Sequence, residues 1–228
     1  MIPIEELVEV DDPAWPALSE RLREAEGRVV VMPVDENAGR ECLYRLQVSA
    51  RSTMGALALH TGGLLIDHGW LRILGGGADR LTDLATANSD ELSSAAEGGV
   101  LNIGHDVLGG RFAINGGALE GEPGEVHFWA PDTLTWLPLG SGYSGFITWC
   151  LSGDLGSFYA DLRWPGWADE IDLLAPDQGL SVWPPLCTAE SRPISVTSRR
   201  AVPWTDLASL LDELSGLPAG PVNFRVVD

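Results

Sequence analysis

The chain contains no lysine. All 14 of its basic residues are arginine, it has 33 acidic residues, and its formal net charge at pH 7 is −19. A surface of this charge repels phosphate backbones, so the composition disfavours nucleic-acid binding. The same acidity attracts a basic protein, although it also serves simply to keep a protein in solution. We therefore expect no nucleic-acid partner, and we expect that any protein partner is basic.

Cysteine and long apolar runs are scarce as well. The three cysteines, Cys42, Cys150 and Cys187, are odd in number and widely spaced, which argues against a disulfide framework or a zinc knuckle. No apolar run approaches the roughly 18–20 residues that a membrane span needs. The acidic residues 1–12 lack the order of a signal peptide. We expect a soluble, cytoplasmic protein with no membrane partner.

Motifs of common catalytic sites are missing too. The sequence has no HExxH, no paired CxxC, no P-loop, no GxSxG and no GxGxxG followed by a helix. These motifs place metal ligands, nucleophiles or phosphate-binding amides at fixed spacings. Their absence leads us to expect no cofactor, and it identifies no catalytic residue and no metal ligand.

What the sequence does contain is an alternating stretch near its middle. Apolar and polar residues alternate in Arg111–Asn115 and Glu125–Ala130, and Thr133–Leu137 places Leu134 and Trp136 on one face. A period of two is typical of half-buried strands. Asn115-Gly116-Gly117 is a turn in which glycine supplies positive φ. We predict three adjacent antiparallel strands whose apolar face must be covered.

An aromatic helix is predicted to provide that cover. Its apolar residues recur at helical spacing, and they are Tyr143, Phe146, Ile147, Cys150 and Leu151. Ser141 is expected to cap the first turn, Gly153 to end the helix and Asp154 to cap the next one. Burial of each large side chain stabilises the fold by roughly 1.5–3 kcal/mol before entropy is subtracted.

The segments before this stretch are predicted to add helices and strands. Val29–Val34 is expected to be a strand, and a helix is expected from Asp35 to about Val48. Leu64–Asp67 and Trp70–Leu74 read as strands, and we interpret Ala56–His60 as a strand too. The alternative for Ala56–His60 is the end of a helix stopped by a glycine.

The C-terminal part is less regular. A last helix capped by Thr205 is predicted from the stripe of Leu207, Leu210, Leu211 and Leu214, and the tail 222–227 is expected to form an edge strand. The chain as a whole is expected to be a single α+β domain, 1–228, with a core of 29–162 and an elaborated C-terminal segment of 163–228. The expected fold is a mostly antiparallel twisted sheet of about six strands with helices packed on one face.

Six motifs along nearly the whole chain resemble a known family. They are Asp12-Pro-Ala-Trp15, the run from Thr61 to Gly75, Asn115-Gly-Gly117, Ala130-Pro-Asp-Thr-Leu134, Ser152-Gly-Asp-Leu155 and Phe158-Tyr-Ala-Asp-Leu-Arg-Trp-Pro-Gly-Trp167. Together they resemble a bacterial family known as domain of unknown function 2625. That resemblance implies no activity, because the family has no assigned chemistry.

A more distant likeness concerns the order of elements. Strands that end near Trp136 are followed by the aromatic helix Tyr143-Ser-Gly-Phe-Ile147, and this order is similar to that of the SUKH superfamily. The likeness implies an α/β binding fold that serves in bacterial immunity proteins against toxins and in intracellular interaction modules. The long segment after Leu162 departs from the usual compact SUKH length.

Histidines and aspartates give the sequence its candidate site chemistry. All four histidines lie between residues 60 and 127, and two adjoin aspartates in Asp67-His68 and His105-Asp106. If the strands bring these four side chains together, they could bind a divalent metal or share a proton. Their spacing matches no known ligand motif, so the alternative is that they satisfy hydrogen bonds at turns and strand ends.

A binding rim is the other candidate. Asp67, His68, Trp70 and Arg72 would lie at one sheet edge, and an indole there gives large contact area with a donor. His127 and Trp129 would extend this surface on the face opposite the apolar stripe. The alternative is that a helix from elsewhere covers that face. The candidate binding residues are therefore Asp67, His68, Trp70, Arg72, His105, Asp106, His127 and Trp129.

These observations favour a non-catalytic binding or regulatory module, immunity-like, that recognises a basic protein partner. The alternative is a metal-assisted hydrolase that uses Asp67, His68, His105 and Asp106, and it predicts those side chains within about 6 Å of one point. A homo-oligomeric structural protein is a third interpretation.

Overall fold

A computed structural model describes residues 1–25, 27–89 and 99–216. The elements of the first part are α1 (Ile4–Val8), α2 (Trp15–Glu24), β1 (Val29–Met32), α3 (Glu36–Leu46), α4 (Thr53–His60), β2 (Gly63–Ile66) and β3 (Leu71–Leu74). The second part contains β4 (Val100–Asp106), β5 (Arg111–Asn115), β6 (Glu125–Ala130), β7 (Thr135–Gly142), α5 (Tyr143–Ser152), α6 (Leu155–Phe158), α7 (Trp167–Ile171), β8 (Gln178–Trp183), β9 (Ser198–Pro203) and α8 (Trp204–Ser215). Short 3-10 turns occur at Thr86–Asn88, Ala160–Leu162, Ala189–Ser191 and Ile194–Val196.

The main sheet is an antiparallel meander. Its seven strands follow the chain in the order β1 to β7, and each pairs antiparallel with the next. This confirms the mostly antiparallel α+β fold, with seven strands in this sheet where about six were predicted. Strands β8 and β9 form a separate two-stranded sheet.

One face of the sheet carries the large apolar core. Phe112 and Phe128 are paired across β5 and β6 with ring centroids 4.8 Å apart, and Phe146 of α5 lies 5.1 Å from Phe112. The predicted aromatic helix therefore covers the predicted strands. Its start differs from the prediction, because Gly142 occupies the N-cap position and Ser141 makes no capping hydrogen bond in the described structure.

Helix α4 corrects the interpretation of Ala56–His60 as a strand. The segment is helical from Thr53, and the Ser52 hydroxyl caps it by accepting a 2.9 Å hydrogen bond from the Gly55 amide. Every residue from Met54 to Leu59 is buried, so the helix has no polar face to give a period of 3.6. The sequence pattern was therefore ambiguous, and the helical alternative was correct.

Helix α8 covers the opposite face of the sheet. Its Leu207 and Leu211 pack against Trp129 of β6, and Leu134 and Trp136 border this small cluster. Helices thus lie on both faces, and the prediction of helices on one face was wrong. The polar residues that alternate along β4–β6 gave the impression of an open face, but several of them are buried beneath α8.

The C-terminal part of the chain is tied to the sheet through hydrogen bonds to main-chain carbonyls. The Leu180 amide donates to the Val107 carbonyl just after β4 at 2.7 Å, and the Trp204 indole N–H donates to the Asp106 main-chain carbonyl of β4 at 3.3 Å. Helix α8 has Pro203 at its N-cap, and Thr205 provides no capping bond within the described residues. The predicted tail strand 222–227 lies outside the described residues.

None of the described helices is both long and apolar enough to span a membrane. Cys42, Cys150 and Cys187 are all free thiols.

Candidate functional site

The turn between β2 and β3 holds the first two predicted binding residues. Asp67 and His68 adopt left-handed backbone conformations with φ of 51° and 61°. The Arg163 guanidinium donates to the Asp67 carboxylate at 2.8 Å. The His68 ring nitrogen Nδ1 lies 3.0 Å from the Asp172 carboxylate, just after α7. Both side chains therefore meet the C-terminal segment of the same chain.

Trp70 is fully buried beneath that segment. Its ring centroid lies 5.4 Å from that of Tyr159, 5.8 Å from that of Trp164 and 5.3 Å from that of Trp167. The Arg163 guanidinium stacks over Trp167 at 4.0 Å. Residues 159–172 thus cover Trp70, whereas the His68 side chain at the same end of the strands stays 49% exposed.

Arg72 and His105 form the next part of this covered region. Arg72 is 1% exposed and donates to the carbonyl oxygens of Gln178 and Ala175. His105 packs against Trp204 with ring centroids 4.1 Å apart. Burial, reinforced by the Arg72 charge, lowers the pKa of His105 well below its ordinary value. The imidazole is therefore neutral at pH 7.

Asp106 is the most deeply buried carboxylate of the predicted set. Its Oδ1 accepts hydrogen bonds from the amides of Leu108 at 2.9 Å and Gly110 at 2.8 Å. Its Oδ2 has no hydrogen-bond partner within standard distance among the described residues, and the buried Tyr159 hydroxyl interacts with this carboxyl more loosely. Burial raises the pKa of Asp106 to about 6, against the lowering effect of the two amides.

The four residues of the hydrolase hypothesis are not assembled into a metal site. Asp67 pairs with an arginine, His68 with an aspartate, His105 with an indole and Asp106 with main-chain amides. Within residues 1–25, 27–89 and 99–216, no group of three or more His, Cys, Asp or Glu side chains could hold a metal ion. The geometry gives this alternative no support.

The last two predicted residues, His127 and Trp129, lie on the α8 side of β6. Trp129 is buried, and the Arg111 guanidinium lies 4.6 Å from its ring centroid. His127 is also buried, and its Nε2 donates to the Glu120 carbonyl oxygen at 2.9 Å. This hydrogen bond ties β6 to the loop that connects it with β5.

An open pocket lies above His127, and we call it the loop pocket. Its volume is about 550 Å³, within the range of roughly 300–1,000 Å³ typical of small-molecule sites. It is lined by Ala118, Leu119, Glu120, Gly121, Glu125, His127, Trp136 and Pro138. The lining combines an indole, an imidazole, two glutamates and short apolar side chains.

Asn115 builds the loop that forms one wall of the loop pocket. Its Oδ1 accepts from the amides of Gly117 at 2.8 Å and Leu119 at 3.0 Å, and its Nδ2 donates to the Leu119 carbonyl at 3.0 Å. The side chain is buried, so these bonds are shielded from water. The loop is therefore held in one conformation by an amide that serves as both donor and acceptor.

Glu125 is fixed on the other side of the loop pocket. Its Oε1 accepts a 2.7 Å hydrogen bond from the Gly140 amide of β7. The pairing of β6 with β7 shifts register between Glu125 and His127, which is a bulge. Its other oxygen, Oε2, faces Gly121, where a Cβ would lie only 3.0 Å away. The carboxylate is thus oriented at the edge of the pocket.

Sequence reasoning identified only His127 among the lining residues. Trp136 was placed on the apolar core face with Leu134, but it pairs across strands with Trp129 and borders the α8 cluster. The signal that could have located the site was Asn115-Gly-Gly117 followed by a long polar loop, which is more than a tight turn requires. The eight predicted residues split between a covered region and the edge of this pocket, and their role in binding stays a prediction.

Comparison with known proteins identifies the family. The chain belongs to the family described as "Protein of unknown function DUF2625", whose sequence model matches residues 4–207. It is 40% identical over 181 residues to YbfG, an uncharacterised protein of Escherichia coli (strain K12), covering 78% of this chain and 82% of that protein.

An uncharacterised protein of Haemophilus influenzae is 34% identical over 200 residues, covering 86% of this chain and 87% of that protein. No solved structure matches the chain. These relatives confirm the predicted family.

Proposed function

We propose that this protein is a non-catalytic binding protein that recognises a basic protein partner. The observation that supports this proposal most directly is that many of the arginines form ion pairs within the chain. Seven of them form ion pairs with carboxylates of the same chain, and they are Arg40, Arg45, Arg80, Arg111, Arg163, Arg192 and Arg199. Much of the positive charge is therefore neutralised internally, and the net charge of −19 is carried by carboxylates beyond these pairs. Such a field accelerates association with a cationic surface.

The loop pocket supports the same proposal. It is open to solvent, it is lined by Glu120, Glu125 and the indole of Trp136, and its described lining contains no arginine. Pockets that receive a partner's side chain commonly combine aromatic contact area with a few oriented polar groups. An acidic pocket on an acidic surface gives a basic partner both attraction and a defined point of attachment.

The finer role that we propose is regulatory or immunity-like. The strand order that ends at β7 and continues into the aromatic helix α5 supports the proposed likeness to the SUKH superfamily. Electrostatic steering accelerates association between oppositely charged proteins, so an acidic surface would suit rapid capture of a basic toxin. A toxin gene beside the gene for this protein would support the immunity role over a general regulatory one.

Affinity capture from a lysate of the source cells tests the proposal when it is followed by titration. The recovered protein would be purified, and its binding to this chain would be measured by calorimetry at roughly 50 and 300 mM salt. We expect a partner with an isoelectric point above neutrality and an affinity that falls steeply with salt.

Two results would overturn the proposal. One is a purified partner that is acidic, or one whose affinity does not change with salt. The other is turnover of a small molecule by the purified protein with no protein partner recovered. Glu36 and Glu41 are exposed on α3, so Glu36→Gln and Glu41→Gln each remove one surface charge and serve as controls for charge substitutions at the loop pocket.

A further inference from the structure

We propose that the loop pocket receives an arginine side chain of the basic partner. This inference rests on the proposed function and adds the chemistry of the contact. The guanidinium would contact the indole of Trp136 and donate to Glu125 and Glu120, while its methylenes would pack against the apolar lining. A partner arginine, rather than lysine, is favoured for the reasons that follow.

The fold already uses one arrangement three times among its own residues. In each case a guanidinium stacks on an indole and also pairs with a carboxylate. The three sets are Arg111 with Trp129 and Asp212, Arg163 with Trp167 and Asp67, and Arg199 with Trp164 and Glu170. The stacking distances are 4.6, 4.0 and 4.1 Å.

The loop pocket presents an indole and carboxylates again, now at the surface. Trp136 is the cross-strand neighbour of Trp129, so the pocket adjoins one of the internal sets. Trp136 keeps its own contacts within the fold, and the part of the indole that lines the pocket is what a ligand would meet. A cation that enters the pocket would meet this part of the indole and the pocket's carboxylates together.

The Glu125 carboxylate is placed to meet a cation without rearrangement. The amide of Gly140 fixes one oxygen of Glu125, and the other faces the pocket at Gly121. No ion pair of Glu120 or Glu125 is formed within the described residues, so an entering cation displaces no internal partner. A carboxylate held in advance loses little entropy on binding.

Arginine suits this pocket better than lysine. A planar guanidinium can stack on a ring and donate in its plane to carboxylates at the same time, whereas an ammonium is a compact, strongly hydrated point charge. Its methylene stem can also cover Ala118, Leu119 and Pro138, which line the remaining wall. The loop pocket therefore discriminates by shape as well as by charge.

The test uses the whole protein, labelled with ¹⁵N, and three small probes: the acetylated amides of arginine, lysine and norleucine. Each of the nine tryptophans gives one indole N–H signal, and Trp136→Phe identifies that of Trp136. We expect the arginine probe to shift this signal saturably, the lysine probe to bind several-fold more weakly and norleucine to cause no saturable shift.

Glu125→Gln provides the second arm, because the amide keeps the Oε1 acceptor for Gly140 while the charge is lost. We expect roughly three- to tenfold weaker binding of the arginine probe to this variant. Glu41→Gln, on an exposed part of α3, removes the same charge elsewhere and should leave the affinity unchanged.

Equal affinities for arginine and lysine, shifts that spare Trp136, or equal effects of Glu125→Gln and Glu41→Gln would each overturn the inference. Its failure is distinguishable from failure of the proposed function. If a purified basic partner binds but the probes do not reach the loop pocket, only the inference fails. If the arginine probe binds as expected but every partner recovered is acidic, the proposed function fails, whereas the preference of the loop pocket for arginine stands.

Discussion

Arg111 on β5 and Asp212 on α8 form a buried ion pair with an Nη1–Oδ1 distance of 2.7 Å. Their side chains are 1% and 9% exposed. Arg111 also donates to the Ala208 carbonyl of α8 at 2.9 Å and stacks over Trp129 of the neighbouring strand. This single guanidinium therefore connects the last helix to the centre of the sheet.

We predict that Asp212→Ala lowers the free energy of unfolding by about 3–5 kcal/mol, because it removes the carboxylate that pairs with the buried Arg111 guanidinium. Urea denaturation followed by tryptophan fluorescence measures this change. Glu213→Ala is the matched control, since the neighbouring Glu213 is exposed and its loss should cost no more than about 0.5 kcal/mol. Similar losses for the two variants would refute the importance of the buried pair.

Asp106 makes the stability depend on pH. Its pKa is about 6 in the folded protein and 3.8 ordinarily, so the folded state binds this proton more tightly than the unfolded chain does. The stability that this proton provides is greatest below pH 3.8 and is lost as pH rises through 6. Between about pH 5 and 8 the loss from this group amounts to about 1.4 kcal/mol.

Asp106→Asn isolates this contribution from that of His105. The lowered pKa of His105 acts in the opposite direction, since stability is lost as pH falls through 6.5 and the unfolded histidine is protonated. We expect the variant to gain stability relative to the wild type as pH rises from about 5 to 8. A difference between variant and wild type that stays constant over this range, measured by urea denaturation, would contradict the assignment.

Two helical glycines should respond oppositely to alanine. In α4, a Cβ at Gly55 would lie 2.1 Å from the Ser49 carbonyl oxygen, so Gly55→Ala should destabilise by about 1–3 kcal/mol despite better helix propensity. In α5, the nearest atom to a Cβ at the exposed Gly145 is a side-chain carbon 3.1 Å away. Gly145→Ala should therefore be neutral or stabilising by up to about 1 kcal/mol. Thermal denaturation of both variants checks this contrast, and destabilisation by Gly145→Ala equal to that of Gly55→Ala would refute it.

Burial should distinguish two ion pairs of nearly equal length. Arg163–Asp67 and Arg192–Asp132 are 2.8 and 2.7 Å long, but their side chains are 11% and 18% exposed in the first pair and 41% and 22% in the second. Double-mutant cycles to alanine should give a coupling of about 1–3 kcal/mol for Arg163–Asp67. The coupling for Arg192–Asp132 should be at most about 1 kcal/mol. Equal couplings for the two pairs would contradict the claim that burial strengthens the Arg163–Asp67 pair.

Local patterns were sufficient to predict the centre of the fold. The alternation in Arg111–Asn115 and Glu125–Ala130 and the stripe from Tyr143 to Leu151 have the periods of half-buried strands and a one-faced helix. Such patterns separate a polar side from an apolar side, which was enough to predict the strands and the helix, although the polar side of β5 and β6 is itself buried. Helix α4 is buried on every side from Met54 to Leu59, so its sequence shows no alternation between polar and apolar positions.

The covered region could not be read from the sequence for a different reason. Arg111 and Asp212 are 101 residues apart, and nothing near either residue indicates its partner. Polar residues on a strand ordinarily indicate solvent, but here Arg72, His105 and Arg111 are buried because a distant segment satisfies or packs against them. The loop pocket was missed because Asn115 acts through main-chain bonds along a loop that has no periodicity.

The most direct test of the binding proposal is amide hydrogen exchange of the protein alone and saturated with its purified basic partner. The account predicts that exchange slows on binding in the loop of residues 116–124 and in β7, the two walls of the loop pocket. Slowing that is confined to other surfaces, with the loop and β7 unchanged in the complex, would contradict it.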